Sequence, residues 1–174
     1  SGGGLLQVLG VHDWESMLHA MYALVEKPRQ IEQLVDKTTD FYCLCLERVL
    51  SRVSVDYASF YEPIASNKGP VISPAMFERY AMPGYRKVLA VIDKYDIPLR
   101  IFCTTGGNLS SLLPPLIEAG MNALWISNIQ SSRMKYSALR KTYGREMALI
   151  GGVDSNALAQ GPDEVRRAVM ETVP

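Results

Sequence analysis

No run of about 18 or more apolar residues occurs in this chain, which excludes a membrane-spanning helix of the usual length. An excess of charge is missing as well. Eighteen basic residues stand against eighteen acidic ones, and that balance argues against the broad basic face with which proteins grip nucleic-acid phosphates. The local group Arg133, Lys135, Arg140, Lys141 and Arg145 reads as a solvated helix face rather than a patch. Cysteine is scarce: three residues, an odd number without framework spacing, fit a reducing compartment, the cytoplasm. No charged-then-apolar secretory pattern opens the chain. A Gly-x-Gly-x-x-Gly turn and a phosphate-loop Lys-Ser/Thr are both absent, which removes the common nucleotide fingerprints. The two histidines, His12 and His19, lie seven apart and are expected on one face of a first helix, partly exposed rather than as ligands. No Ser-His-Asp arrangement can be assembled.

What is present is the composition of a globular domain. At 174 residues and 48% apolar, a single unit can bury roughly 70% of its unfolded surface. The opening Ser1-Gly2-Gly3-Gly4 reads as an added or flexible end, or as the interior of a longer gene product. Apolar residues at helical spacing predict a helix over 11–26. Pro28 then sits in the first turn of a long amphipathic helix carrying Ile31, Leu34, Val35, Phe41, Leu46 and Leu50. Cys43 and Cys45, two apart on that helix, point in different directions and cannot share a metal.

Beyond it, strands are predicted over 55–61, 99–104, 123–127 and 148–153. Ser73-Pro74 starts a helix that runs to about Tyr95 with a kink at Pro83. A second helix starts at Asn108, is interrupted by Pro114-Pro115 and closes at Gly120. A third, capped by Ser131 or Ser132, ends near Gly144, and Pro162-Asp163-Glu164 opens the last. Strand–helix alternation implies an α/β protein with a parallel sheet and outer helices. A doubly wound sheet shares that order, but without a nucleotide fingerprint the barrel is the better reading. Every strand's C-terminal end then falls on one rim, where barrels carry their chemistry.

That rim nominates the candidate residues. Glu62, ending the first of these strands, reads either as a rim carboxylate for ligation or proton transfer or as the cap of a neighbouring helix start. Cys103 reads as a metal ligand or thiolate, or as a small core residue. Thr104, Thr105, Gly106, Gly107 and Asn108 form a turn whose amides approach an anion, or simply the turn any barrel needs. Asp154 binds substrate or caps the following helical turn.

Several of these words, in this order and spacing, resemble the uroporphyrinogen decarboxylase superfamily. They are Gly69-Pro70, Ile72-Ser73-Pro74-x-Met76-Phe77, Pro83-x-Tyr85 and the Cys103 turn ending in Gly107-Asn108. Leu116 to Gly120 followed by Ala123-Leu124, and Gly152-Val153-Asp154, complete the set. The superfamily includes the decarboxylase itself and corrinoid-linked methyltransferases that deliver methyl groups to thiols. The resemblance covers nearly the whole chain but only a middle and later portion of a family member. It implies an incomplete (β/α)8 TIM barrel, with residues 1–174 a single fragment of the domain.

On this resemblance the site consists of Glu62 and Cys103 as catalytic groups, with Thr104, Thr105, Gly106, Gly107, Asn108 and Asp154 binding substrate. The methyltransferase branch activates its thiol with zinc held by a His-x-Cys pair on the strand aligned with Leu99–Thr104. Two residues so spaced share a face. Here Cys103 keeps the cysteine, but Ile101 replaces the histidine, so no metal is expected in this chain; zinc or a corrinoid partner belongs to the complete family member. The decarboxylase branch has a Phe-Glu-Ser type of motif where this chain reads Tyr61-Glu62-Pro63. The function expected first is methyl transfer from a corrinoid to a nucleophile at the barrel mouth. Decarboxylation of the acetate arms of a porphyrinogen is the second reading, and a truncated, non-catalytic binding piece the third. The partners implied are a small-molecule substrate or a corrinoid protein, with neither nucleic acid nor membrane. Four strands in place of eight predict that the chain alone does not turn over. It is expected to form a homo-oligomer through open strand edges near Val55 and Ile150 and through the apolar faces of Val55, Tyr57, Ile150 and Val153.

Overall fold

The strands that the hydrophobic pattern predicts do form, and they join in parallel. The computed structural model describes residues 2–66, 68–127 and 134–172. Its main sheet contains β1 (Gly2–Gly3), β2 (Tyr57–Tyr61), β5 (Leu99–Thr104), β6 (Ala123–Ile126) and β7 (Ala148–Gly151) in that order, each pair parallel. A small antiparallel hairpin of β3 (Ala65–Ser66) and β4 (Gly69–Pro70) follows the end of β2. Neighbours in the sheet are neighbours in sequence, the arrangement of a TIM-barrel arc. Among the described residues no helix is long and apolar enough to cross a membrane.

The first correction concerns the amino end. Gly2 and Gly3 are not a loose tail; they pair with Phe60 and Tyr61 and so cover the flank of β2. β1 reaches only the last two residues of β2, so Tyr57–Ser59, the end nearer Val55, have no strand partner on that side among the described residues, and Val55 itself lies before the strand. After β1 come α1 (Leu5–Val8), α2 (Trp14–Glu26) and α3 (Pro28–Leu50). Asp13 caps α2, accepting from the Ser16 N–H at 2.7 Å, while the Ser16 hydroxyl accepts from the Asp13 N–H at 3.0 Å. That reciprocal cap starts the helix after His12, so His12 and His19 do not share a helical face.

Prolines mark helix starts where interruptions are expected. The predicted helix over 73–95 is two helices, α4 (Pro74–Tyr80) and α5 (Met82–Lys94), with Pro83 in the first turn of the second. Pro114 and Pro115 likewise open α6 (Leu113–Glu118) instead of breaking it. A proline lacks only an N–H that a first turn leaves unpaired in any case. The remaining helices are α7 (Tyr136–Tyr143), α8 (Ser155–Leu158) and α9 (Pro162–Thr172). The expected cap at Ser131 or Ser132, and Arg133 of the basic group, lie outside the described residues.

Alternation along the strands separates two faces. Phe60, Phe102 and Leu124, in register across β2, β5 and β6, point into the layer beneath the helices. There Tyr85 of α5 meets Phe60 edge-on at 5.6 Å and Phe102 at 6.3 Å, with Phe77 of α4 at 6.0 Å. Arg79–Glu32, Lys87–Asp36, Lys87–Asp40 and Lys94–Glu47 ion pairs at 2.6–2.7 Å fasten α4 and α5 beside α3. All are exposed, so each contributes at most about 1 kcal/mol. The other face carries Ser59, Ile101, Ala123 and Ala148 in one row and Tyr61, Cys103, Trp125 and Ile150 in the next.

Candidate functional site

The second of those rows lies at the C-terminal ends of the strands, on the face turned away from the helices. It is the barrel mouth of this arc. Cys103 is half-buried at its centre, with Tyr61 and Trp125 as its partners on the two adjoining strands. Tyr61 remains 37% exposed and Trp125 44%, so large aromatic surface borders the thiol on both sides. The Cys103 Sγ has only a long contact to the Ile101 carbonyl, 3.9 Å. Burial pushes its pKa up, keeping it a neutral thiol at neutral pH. Ile101 sits one row deeper on the same face, as two-residue spacing requires.

Glu62 sits elsewhere. Its backbone N–H donates to the Cys103 carbonyl at 2.9 Å, yet its side chain follows Phe60 onto the helix side and is 0% exposed. Oε2 accepts from the Leu5 N–H at 2.5 Å and from the Tyr85 hydroxyl at 2.8 Å, and Oε1 accepts from the Leu6 N–H at 3.2 Å. Of the two readings of Glu62, the geometry displays the helix cap: it satisfies the first amides of α1. Burial pushes its pKa up to about 7, against the lowering effect of the Tyr85 hydroxyl and the two amides. Tyr85 is driven well above the ordinary phenol range by its own burial and by the adjacent carboxyl. Gly4 makes the approach feasible, since a Cβ there would lie 2.3 Å from Oε2.

The glycine turn is a structural joint as built. Thr104 is buried and donates through Oγ1 to the Gly106 carbonyl at 3.3 Å. Gly107 adopts φ +87°, and a Cβ on it would stand 2.5 Å from the Ala65 carbonyl carbon. The Asn108 N–H donates to the Ser66 carbonyl at 3.2 Å, and its Oδ1 accepts from the Ser110 N–H at 3.0 Å. The turn thus docks on the β3–β4 hairpin, with Thr105 exposed. No helix begins at Asn108; α6 starts at Leu113 and runs for six residues, so the helix expected directly behind this turn begins five residues later. Asp154 caps α8, its Oδ1 accepting from the Asn156 N–H at 3.0 Å and side-chain amide at 3.1 Å.

Of the sequence-nominated residues, only Cys103 faces the mouth as part of the exposed row. The residues that sequence reasoning missed are its neighbours Tyr61 and Trp125. Tyr136, which joins β6 to β7 by accepting from the Ile126 N–H at 3.3 Å and donating to the Ile150 carbonyl at 2.5 Å, was missed as well. Strand parity pairs Tyr61 with Cys103 once the register is known. Among the described residues no three His, Cys, Asp or Glu side chains gather as a metal needs. Cys103 has Ile101, which cannot ligate, in place of a histidine two residues before it on the same face, so these two positions alone do not supply a zinc pair.

A family model described as uroporphyrinogen decarboxylase matches residues 9–174. A uroporphyrinogen decarboxylase of Syntrophotalea carbinolica is 23% identical over 146 residues, which is 84% of this chain and 39% of that protein. Another, of Desulfotalea psychrophila, is 28% identical over 102 residues, 57% of this chain and 27% of that protein. The chain spans less than two fifths of the length of either relative.

Proposed function

The chain belongs to the uroporphyrinogen decarboxylase family, and on that premise we propose that it forms one wall of a barrel mouth that binds a porphyrinogen for loss of CO2 from its acetate arms. The observation that carries this reading is the exposed row Tyr61–Cys103–Trp125 at the strand ends. Adjacent strands lie about 4.8 Å apart, so the two aromatic residues flank a strip about 10 Å wide, on the scale of neighbouring pyrroles. Apolar walls with a few polar tips suit a large ring that carries carboxylates on its edge. The names of both relatives favour this chemistry over the methyl transfer that the Ile72–Asn108 motifs bring first to mind.

In decarboxylation the bond between the acetate methylene and its carboxylate breaks, CO2 leaves, and a proton takes its place on carbon. The residues described here contribute binding and water exclusion to that step. Glu62 faces the helix layer and stabilises the wall from behind; it does not reach the ligand face. One observation favours the second reading: Cys103 is a thiol in the middle of the mouth. The two separate in one experiment. In the protein carrying this chain, uroporphyrinogen should release CO2, and Cys103→Ser should leave the rate within about threefold. Failure to act on uroporphyrinogen, together with demethylation of a methyl-corrinoid that Cys103→Ser abolishes, would move the assignment to methyl transfer.

A further inference from the structure

Trp125 is the least expected residue of the mouth. Its partner positions on β6 are small or fully packed: Ala123 one row deeper is buried, and Leu124 and Ile126 fill the helix layer. Trp125 alone of these remains 44% exposed, on the row nearest the strand ends. Its pyrrole edge lies beside Gly151, where a Cβ would stand 3.4 Å from both Cδ1 and Nε1. Gly151 also has φ +80°, and a Cβ on it would stand 3.1 Å from the Ile126 carbonyl oxygen, so the backbone there favours glycine. Gly151 places no side chain against that edge of the indole, while Ile150 is its partner in register on β7.

The polar tips of the row are uncommitted too. Neither the Trp125 Nε1–H nor the Tyr61 hydroxyl makes a hydrogen bond among the described residues, whereas Tyr80, Tyr85 and Tyr136 each donate to an oxygen. Buried or ligand-facing indoles ordinarily find an acceptor for that N–H. A large flat side chain with a free donor, exposed on the strand-end row, presents what a ring ligand needs: a face for stacking and a hydrogen bond for register.

We infer that Trp125 is a ligand-contact residue that sets orientation in this mouth, its indole face taking one ring of a carboxylate-bearing macrocycle and its Nε1–H donating to a carboxylate of the same ligand. The inference rests on the porphyrinogen reading of the site and adds to it a residue, a contact mode and a size limit. Cys103 and Ile150 flank Trp125 in register, so the indole also limits how deep a ring can settle over the thiol.

The test uses the protein carrying this chain and uroporphyrin as probe, the oxidised macrocycle with the same carboxylate arms. Binding is followed by ultrafiltration and the probe's own absorbance, independent of protein emission. A Trp14→Phe variant removes the other indole of these 174 residues, which is 74% exposed on α2, and leaves Trp125 as the one tryptophan reporter among them. Expected are binding by the unmodified chain, quenching of Trp125 emission on saturation, and at least tenfold weaker binding by Trp125→Ala. Trp125→Phe should fall between, keeping a ring and losing the donor. Circular dichroism checks that each variant is folded, and Trp125→Phe carries the comparison if the alanine variant is not. Equal affinity in Trp125→Phe and Trp125→Ala to that of the unmodified chain, with unchanged emission, overturns the role of Trp125 and leaves the site reading intact. No binding by the unmodified chain overturns both.

Discussion

Replacing Glu62 by glutamine isolates the cost of a buried carboxylate without changing its shape. Glu62 is fully enclosed and accepts three hydrogen bonds. Burial nonetheless dominates, raising the group from 4.5 to about 7. The folded chain therefore holds this proton more tightly than the unfolded one. The resulting stabilisation is fully present below pH 4.5 and is lost as the pH rises to about 7. Each pKa unit is worth about 1.4 kcal/mol, so the whole window spans roughly 3 kcal/mol, of which roughly 2–3 falls between pH 5 and pH 8. Glutamine keeps an acceptor for the α1 amides and carries no charge, so Glu62→Gln should show none of this dependence. Urea unfolding of both proteins at half-unit steps from pH 5 to 8.5 gives the difference directly, and titrations common to both cancel. The unmodified chain should lose roughly 2–3 kcal/mol relative to Glu62→Gln across that range. Parallel stability curves would refute the reasoning and show that Tyr85 and the amides keep the carboxylate at its ordinary pKa.

Two further outcomes follow from the rim. Gly107→Ala combines a positive φ with a Cβ 2.5 Å from the Ala65 carbonyl carbon. It should cost more than about 2 kcal/mol in chemical denaturation, whereas Gly10→Ala, with φ +72° and nothing within 4 Å, should cost about 1 kcal/mol. Cys103 is half-buried with a raised pKa, while Cys45 on α3 is exposed. Mass-spectrometric timing of maleimide labelling at pH 7 should find Cys45 modified first and Cys103 at least several-fold later.

The parallel strands were legible because each is a short β-branched or aromatic run bounded by turn residues, and Leu99–Thr104 appears at its expected limits. Gly2–Gly3 was not, since a strand without side chains has no pattern; its pairing is dictated by β2 and by the Glu62 cradle that follows it. The strand-end position of Glu62 was readable, but its direction was not. Tyr57, Phe60 and Tyr61 put aromatics on both faces of β2, so the hydrophobic pattern does not reveal which face the helices cover. Once register is known, parity sends Glu62 inward with Phe60 and leaves Tyr61 at the mouth. Trp125 stayed hidden for a related reason: within a short apolar run, an indole looks like core until the neighbouring strands are in place. The Pro114-Pro115 pair misled because proline breaks a helix interior but suits its first turn.

The strand order also bears on how the chain assembles. β5 and β6 meet through Ile101 and Ala123, and β6 and β7 through Ala123 and Ala148, whereas β1 must bring Gly2 to Phe60. Closing a loop costs more entropy as it lengthens, about 0.6 kcal/mol for each doubling. The joint between β1 and β2 is thus the costliest of the four to close, and it consists of two glycines that lose the most backbone freedom on ordering. Synthesis delivers that segment before the other strands of this sheet, yet entropy favours its docking last. The carboxyl of Glu62, waiting at the end of β2 for the amides of Leu5 and Leu6, then acts as a closing clasp whose grip is set after the rest of the sheet has formed. Pulsed hydrogen exchange during refolding would register that order as late protection of those two amides.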